Sequence, residues 1–215
     1  MVGGGGDGRL LVFEGPDGCG KTTQVRLLGD RLARSGIPHL LVREPGGTEV
    51  GEAIRPLVLR GADMPARSEL LLYLAARAAL VEERIRPALA EGRLVVADRY
   101  FLSSLAYQGY GRGVPVTEVM RAVEFATGGL RAHLTILLQV SAADARARAA
   151  RREPDRIEGA DAAFHERVRL GYAELAAGDP TIRTIQGDRG VRAVHRDVLR
   201  LLEARWPETF GSRSG

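Results

Sequence analysis

The octet Gly15-Pro16-Asp17-Gly18-Cys19-Gly20-Lys21-Thr22 constrains this chain more than any other segment. It has the spacing G-x-x-x-x-G-K-T. An apolar run, Arg9–Glu14 (RLLVFE), precedes it, and an amphipathic stretch, Lys21–Ser35, follows and stops at Gly36. The pattern predicts a buried strand, a glycine-rich turn and a helix. Glycines let successive backbone N–H groups converge on phosphate oxygens, and the helix N-terminus adds a favourable dipole. In that setting Lys21 reaches the β- and γ-phosphates of a nucleoside triphosphate, and the Thr22 hydroxyl ligates Mg²⁺. Of the 31 Lys and Arg residues only Lys21 is lysine. Arginine has replaced lysine everywhere except where a compact ammonium meets phosphate, and the two cations are not interchangeable there.

Further strands are predicted at His39–Arg43, Leu94–Ala97 with Asp98 at its end, Leu134–Val140 and Thr181–Ile185. Helices are predicted at Val50–Leu59, Ser68–Arg86 (ended or kinked by Pro87), Val116–Ala126, Ala142–Arg152, Ala162–Ala176 and Val191–Arg205. Strands this apolar, joined by helices, make an α/β protein: a five-stranded parallel sheet covered on both faces, of the P-loop NTPase fold. Ligands bind outside the carboxyl ends of such strands, so the loops beginning at Gly15, Glu44 and Asp98 should hold the chemistry. Residues 9–207 read as one domain, with flexible tails at 1–8 and 208–215.

Composition narrows the function classes. Hydrophobic residues make up 45% and charged residues 27%, as in ordinary soluble proteins. No apolar run approaches the roughly 20 residues that span a bilayer, and the sequence MVGGGGDGRLLVF lacks the marks of a signal peptide. A cytoplasmic protein with no membrane partner is expected. The net charge of +4 is mild, and no basic run interleaves with aromatics, so no nucleic-acid partner is expected. The lone Cys19 excludes an internal disulfide. It is either a small inward-facing filler or a thiol activated by the helix dipole and Lys21. The four histidines show no metal-ligand spacing.

Five segments then occur in order: FEGPDGCGKTTQ, REPGGTEVGEAIR, LLLYLAAR, DRYFLSSLAYQGYGRG and RREPDRIE. Together, from about Arg9 to Trp206, they resemble bacterial thymidylate kinase. The resemblance implies transfer of the γ-phosphoryl group of MgATP to dTMP, giving dTDP, and a homodimer. It places ATP on Gly15–Thr22, under an arginine-rich lid at about 146–158. There Arg151 is the first choice to stabilise the transferred group, and Arg156 is the alternative. It places the acceptor phosphate on Arg43, Arg55 and Arg99, with Arg99 also steadying the transferred group. It sets Arg77 toward the base, Tyr73 stacked on thymine where the family usually has Phe, and Ser104 and Gln108 at the thymine edge. Tyr107 would crowd a ribose 2′-hydroxyl, and Asp17 would accept a hydrogen bond from the 3′-hydroxyl. Residue chemistry agrees in part. Planar forked donors suit phosphate, Tyr73 and Arg77 lie four apart on one helical face, and Ser104 and Gln108 are also four apart, on the segment after Asp98-Arg99-Tyr100. Asp98 ends its strand in a Walker-B-like position and would hold Mg²⁺ directly or through water, with Glu158 a weaker candidate. Phosphoryl transfer to an anionic oxygen needs positioning and electrostatics more than a base.

Other readings remain at this level. A different small kinase of the same fold is disfavoured by the REPGG and DRY segments. A GTPase switch would need N-K-x-D, and the chain has no asparagine. A nucleotide-binding module without activity is the third.

Overall fold

In the computed structural model, residues 8–149 and 155–211 are described. The strands β1 (Arg9–Glu14), β2 (His39–Arg43), β3 (Leu94–Asp98), β4 (Leu134–Gln139) and β5 (Ile182–Gln186) form one sheet in the order β2-β3-β1-β4-β5. Every pairing is parallel, as expected for a sheet whose three central strands, β3, β1 and β4, are buried on both faces. In β1 the pleat sends Leu11 and Phe13 into one apolar cluster and Leu10 and Val12 into another. The first cluster is completed by α1 (Lys21–Arg34) and α9 (Val191–Arg205) through Leu28, Leu32, Val198 and Leu202. The second is closed by Leu80, Val81 and Ile85 at the end of the helix that begins at Ala66.

Two helical regions depart from expectation. The predicted Ser68–Arg86 helix is α3 (Ala66–Leu80), then a π-helical turn (Val81–Ile85), then α4 (Arg86–Ala90). The Arg86 N–H bonds to the carbonyl of Val81, five residues back. This wider turn takes up the ring of Pro87, which would collide with the carbonyl four residues earlier in a regular helix. After β3, α5 (Phe101–Ser104) runs directly into a second π-helical stretch, Leu105–Gly111. The sequence pattern does not announce that element, because Gly109 and Gly111 read as turn signals.

The remaining helices are α2 (Glu49–Arg60), α6 (Val116–Thr127), α7 (Ala142–Ala149), α8 (Ala162–Ala177) and α10 (Pro207–Phe210). The last corrects the tail expected from 208. Phe210 is buried and its ring stacks on Trp206, 6.4 Å between centroids, so the packed chain reaches residue 210.

Strand register sets up the site. Phe13 and Arg43 both lie opposite Asp98. The ladder extends one step further: the Arg99 N–H bonds to Phe13 O at 2.9 Å and the Glu44 N–H to Asp98 O at 3.0 Å. The residues that follow these three strands therefore emerge side by side.

Candidate active site

A cleft of about 1180 Å³ opens above the carboxyl ends of the strands. Its floor is the β1–α1 loop. Gly15 takes φ 135°, and a Cβ there would lie 2.4 Å from Leu138 O, so the strand–loop junction admits no side chain. Lys21 is 6% exposed, and its Nζ donates to Gly15 O and Pro16 O, both at 2.9 Å. The Thr22 hydroxyl donates to Asp98 Oδ2 at 2.5 Å, joining the start of α1 to the end of β3. Cys19 packs into the core at 2% exposure, and its Sγ lies 3.6 Å from Lys21 Nζ.

Across the middle of the cleft Arg99 forms an ion pair with Asp17. Arg99 has φ 73°, a left-handed backbone that costs about 1–3 kcal/mol in a non-glycine residue. The anchor for that turn is Glu14, which is fully buried. Its Oε1 accepts from the N–H groups of Tyr100 (2.8 Å) and Ser103 (3.1 Å), and its Oε2 from the hydroxyls of Ser103 (2.6 Å) and Tyr172 (3.0 Å). Ser103 and Tyr172 in turn accept from Arg99 Nη1, at 3.1 and 3.3 Å. Burial alone would raise the Asp17 carboxyl. The charges of Arg99 and Lys21, together with a 2.6 Å hydrogen bond from the Tyr107 hydroxyl, outweigh it and lower the pKa to about 2. Burial is the largest single influence on Arg99 and works against its charge, but Asp17, Tyr107, Tyr172 and Asp98 together outweigh it, so the guanidinium is held even more firmly charged than usual.

The far end is lined by Arg43, Arg55, Tyr73, Arg77, Ser104 and Gln108. Arg43 pairs with Glu52 at 3.1 Å, and Arg55 donates to Pro45 O at 2.6 Å. Burial first, and then the Arg43 charge, push the Arg55 pKa below its ordinary value. An anion between the two guanidiniums would relieve the second effect. Arg77 is 1% exposed and held by Glu44, with Nη2 to Oε2 at 2.6 Å and Nε to both carboxylate oxygens. Burial works against its charge, and the Glu44 carboxylate more than restores it.

A family model for thymidylate kinase matches residues 13–198, most of the chain. The chain belongs to the thymidylate kinase family. It is 44% identical to a thymidylate kinase of Symbiobacterium thermophilum, over 94% of this chain and 95% of that one. It is 43% identical to one of Caldanaerobacter subterraneus subsp. tengcongensis, over 91% and 95%. Among solved structures, thymidylate kinase from Ehrlichia chaffeensis superposes with a TM-score of 0.77 at 29% identity, covering 92% of this chain and 99% of that chain.

Most residues singled out in the sequence of this thymidylate kinase family member line one cleft: Asp17 through Thr22, Arg43, Arg55, Tyr73, Arg77, Asp98, Arg99, Ser104, Tyr107 and Gln108. Glu158 lines it too. Arg156 does not. It donates to Val58 O at 2.9 Å and to Glu69 Oε2 at 2.7 Å, away from the phosphate loop. Arg151 lies outside the described residues. Among the described residues of the segment expected to form a lid, Arg148 reaches the loop, donating to Gly18 O at 3.4 Å. The sequence reading missed three buried carboxylates, Glu14, Glu44 and Glu69. It also missed the loop after β5, where Gly187 to Gly190 lines the cleft beside α1. The strand-end rule covers that loop as well as the first three, so the signal was available.

Proposed function

We infer that this chain transfers the γ-phosphoryl group of ATP to dTMP, giving dTDP and ADP. The observation that carries this reading is the single cleft. It runs from a phosphate loop, past the Asp17–Arg99 pair, to a far end furnished with Arg43, Arg55, Arg77 and Gln108. A triphosphate fits one end, a nucleoside monophosphate the other, and the transferred group the middle.

Lys21 leaves the loop carbonyls for the β- and γ-phosphates. Arg99, fixed from below by Glu14, faces the point where the transferred group passes and offsets its charge in transit. Arg43 and Arg55 hold the acceptor phosphate, whose anionic oxygen attacks without a general base. Asp17 accepts from the 3′-hydroxyl, Tyr107 stands beside the sugar, and Tyr73 lies against the base. Thr22 and Asp98 would hold Mg²⁺, which neutralises phosphate charge when bound. Their oxygens, already 2.5 Å apart, suit a hard cation. No three His, Cys, Asp or Glu residues converge among the described residues, in keeping with an ion that takes most of its ligands from phosphate and water. Arg151 belongs to this proposal as the lid arginine.

A coupled assay of MgATP with dTMP, dUMP, UMP, CMP and AMP tests the reading. The highest kcat/KM falls on dTMP, and a preference for CMP or AMP overturns it. A cytoplasmic homodimer is part of the same proposal. Phe125 at 91% and Leu71 at 63% exposure lie on α6 and α3, which pack together and offer an apolar surface to a second copy. Light scattering should give twice the 23.2 kDa chain mass. A monomer at micromolar concentration removes that part.

A further inference from the structure

Glu69 has zero exposure, yet it does not line the cleft. Its carboxylate faces Arg112 at 3.1 Å, Arg156 at 2.7 Å and the side-chain amide of Gln108, whose Nε2 donates to Oε1 at 2.8 Å. A carboxylate among such donors only accepts, so it takes the NH₂ end of the amide and rejects the carbonyl end. Rotating the Gln108 amide by half a turn would set oxygen against oxygen in a buried place. Gln108 is therefore fixed, and its Oε1 is the amide acceptor left without a hydrogen bond among the described residues. That atom is not sealed off, since no buried side-chain polar atom there lacks a partner.

Arg77, one helical turn from Tyr73 on α3, supplies the complement. Its bonds to Glu44, to Tyr100 O at 2.7 Å and to Ser104 Oγ at 3.0 Å use four of its five N–H donors. One Nη1–H remains. The base end of the cleft thus offers the Arg77 Nη1–H as a fixed donor and Gln108 Oε1 as a fixed acceptor, beside the rotatable hydroxyl of Ser104.

We propose that Glu69 is a specificity-determining positioning residue: by locking the Gln108 amide it selects pyrimidines that carry N–H at ring position 3 and a carbonyl at position 4. Thymine and uracil fit that polarity. Cytosine, with an acceptor at position 3 and an amino group at position 4, has it reversed, and a site built for one hydrogen-bond pattern penalises the other strongly. This rests on the reading that Gln108 meets the base.

The test is the ratio of kcat/KM for dTMP to that for dCMP, with MgATP, in the full-length enzyme and four variants. The parent enzyme prefers dTMP. Glu69→Gln supplies a side chain that either donates or accepts, frees the amide to turn, and lowers the ratio at least tenfold, with KM for dTMP rising and KM for dCMP falling. Gln108→Leu lowers the ratio as well. Arg112→Gln, which leaves the Glu69–Gln108 bond in place, keeps it. Glu69→Asp keeps the charge against Arg112 and Arg156 but withdraws the carboxylate from Gln108. It gives the same fall in ratio, and it stands in if Glu69→Gln does not fold. Equal losses on both substrates in the Glu69 variants would make Glu69 a purely structural group and overturn the proposal. A ratio that responds to Gln108→Leu but not to Glu69 removes the lock while base reading by Gln108 survives. A ratio unmoved by Gln108→Leu removes base reading, and the lock with it. A parent enzyme indifferent between dTMP and dCMP also overturns it.

Discussion

The donor and acceptor halves of the cleft are built by different means. The donor half is backbone. Its shape comes from glycine conformations and a helix N-terminus, and its key side chain, Lys21, holds only groups of the loop itself: the carbonyls of Gly15 and Pro16 and the Cys19 sulfur. The acceptor half is side chain. Arg99, Arg77 and Gln108 are each held by a carboxylate partner or anchor – Glu14, Glu44 and Glu69 – at or near full burial. A backbone-built site separates function from stability. A site built on buried charge does not, because removing one partner strands the other in low dielectric.

That contrast predicts where substitutions hurt. The largest effect falls on Glu44. Glu44→Gln leaves the Arg77 guanidinium buried with a weaker acceptor and costs about 3–5 kcal/mol of stability, read by chemical denaturation. Replacing both partners, Glu44→Leu with Arg77→Leu, recovers most of that stability without restoring dTMP use. A single variant as stable as the parent would break the contrast. Next comes Lys21→Ala, which lowers kcat by roughly 10²–10³ while its unfolding midpoint stays close to the parent's. Lys21→Arg is also poor, since the forked cation does not fit the loop. A large fall in stability with Lys21→Ala would show the two halves to be alike.

Asp17 sits on the boundary and sharpens the comparison. Its pKa of about 2 lies below the ordinary 3.8, so its stabilising effect is complete above about pH 4 and is lost as the pH falls toward 2. Asp17→Asn should therefore remove up to about 2 kcal/mol of stability at neutral pH, and the gap from the parent should close near pH 2. A gap that is constant with pH would deny the ion pair this role. The smallest effect concerns Cys19. Its burial favours the filler reading over the reactive thiol, so alkylating reagents leave the native protein unlabelled and label it after denaturation. Rapid native labelling that MgATP suppresses would restore the reactive-thiol reading.

The same division explains what the sequence disclosed. Glycines at fixed offsets, a lysine and a threonine between a strand and a helix leave a local record, so the phosphate loop is legible in eight residues. The parallel sheet is legible because its central strands, buried on both faces, read as near-unbroken apolar runs. The carboxylates leave no such record. Glu69 precedes Leu70 and Leu71 on a helix, where an acidic residue reads as solvated; only the arrival of Arg112, Arg156 and Gln108 from distant segments makes it a buried centre. The assignment of Arg156 to ATP shows the same limit. A cluster of arginines gives no direction to any one of them, and the partner that turns Arg156 away from the phosphate loop is 87 residues earlier in the chain.

Because Lys21 is the only lysine and is almost wholly enclosed, the chain carries a built-in proteolytic reporter. A lysine-specific endoprotease has one peptide bond to cut, between Lys21 and Thr22, and it lies at the start of α1. Cleavage therefore registers every event that opens the cleft floor, from local unravelling of the start of α1 to unfolding of the whole chain. The rate at which the intact chain becomes two fragments, 1–21 and 22–215, reads out how often that floor unravels, and how far each nucleotide slows it, with no label attached.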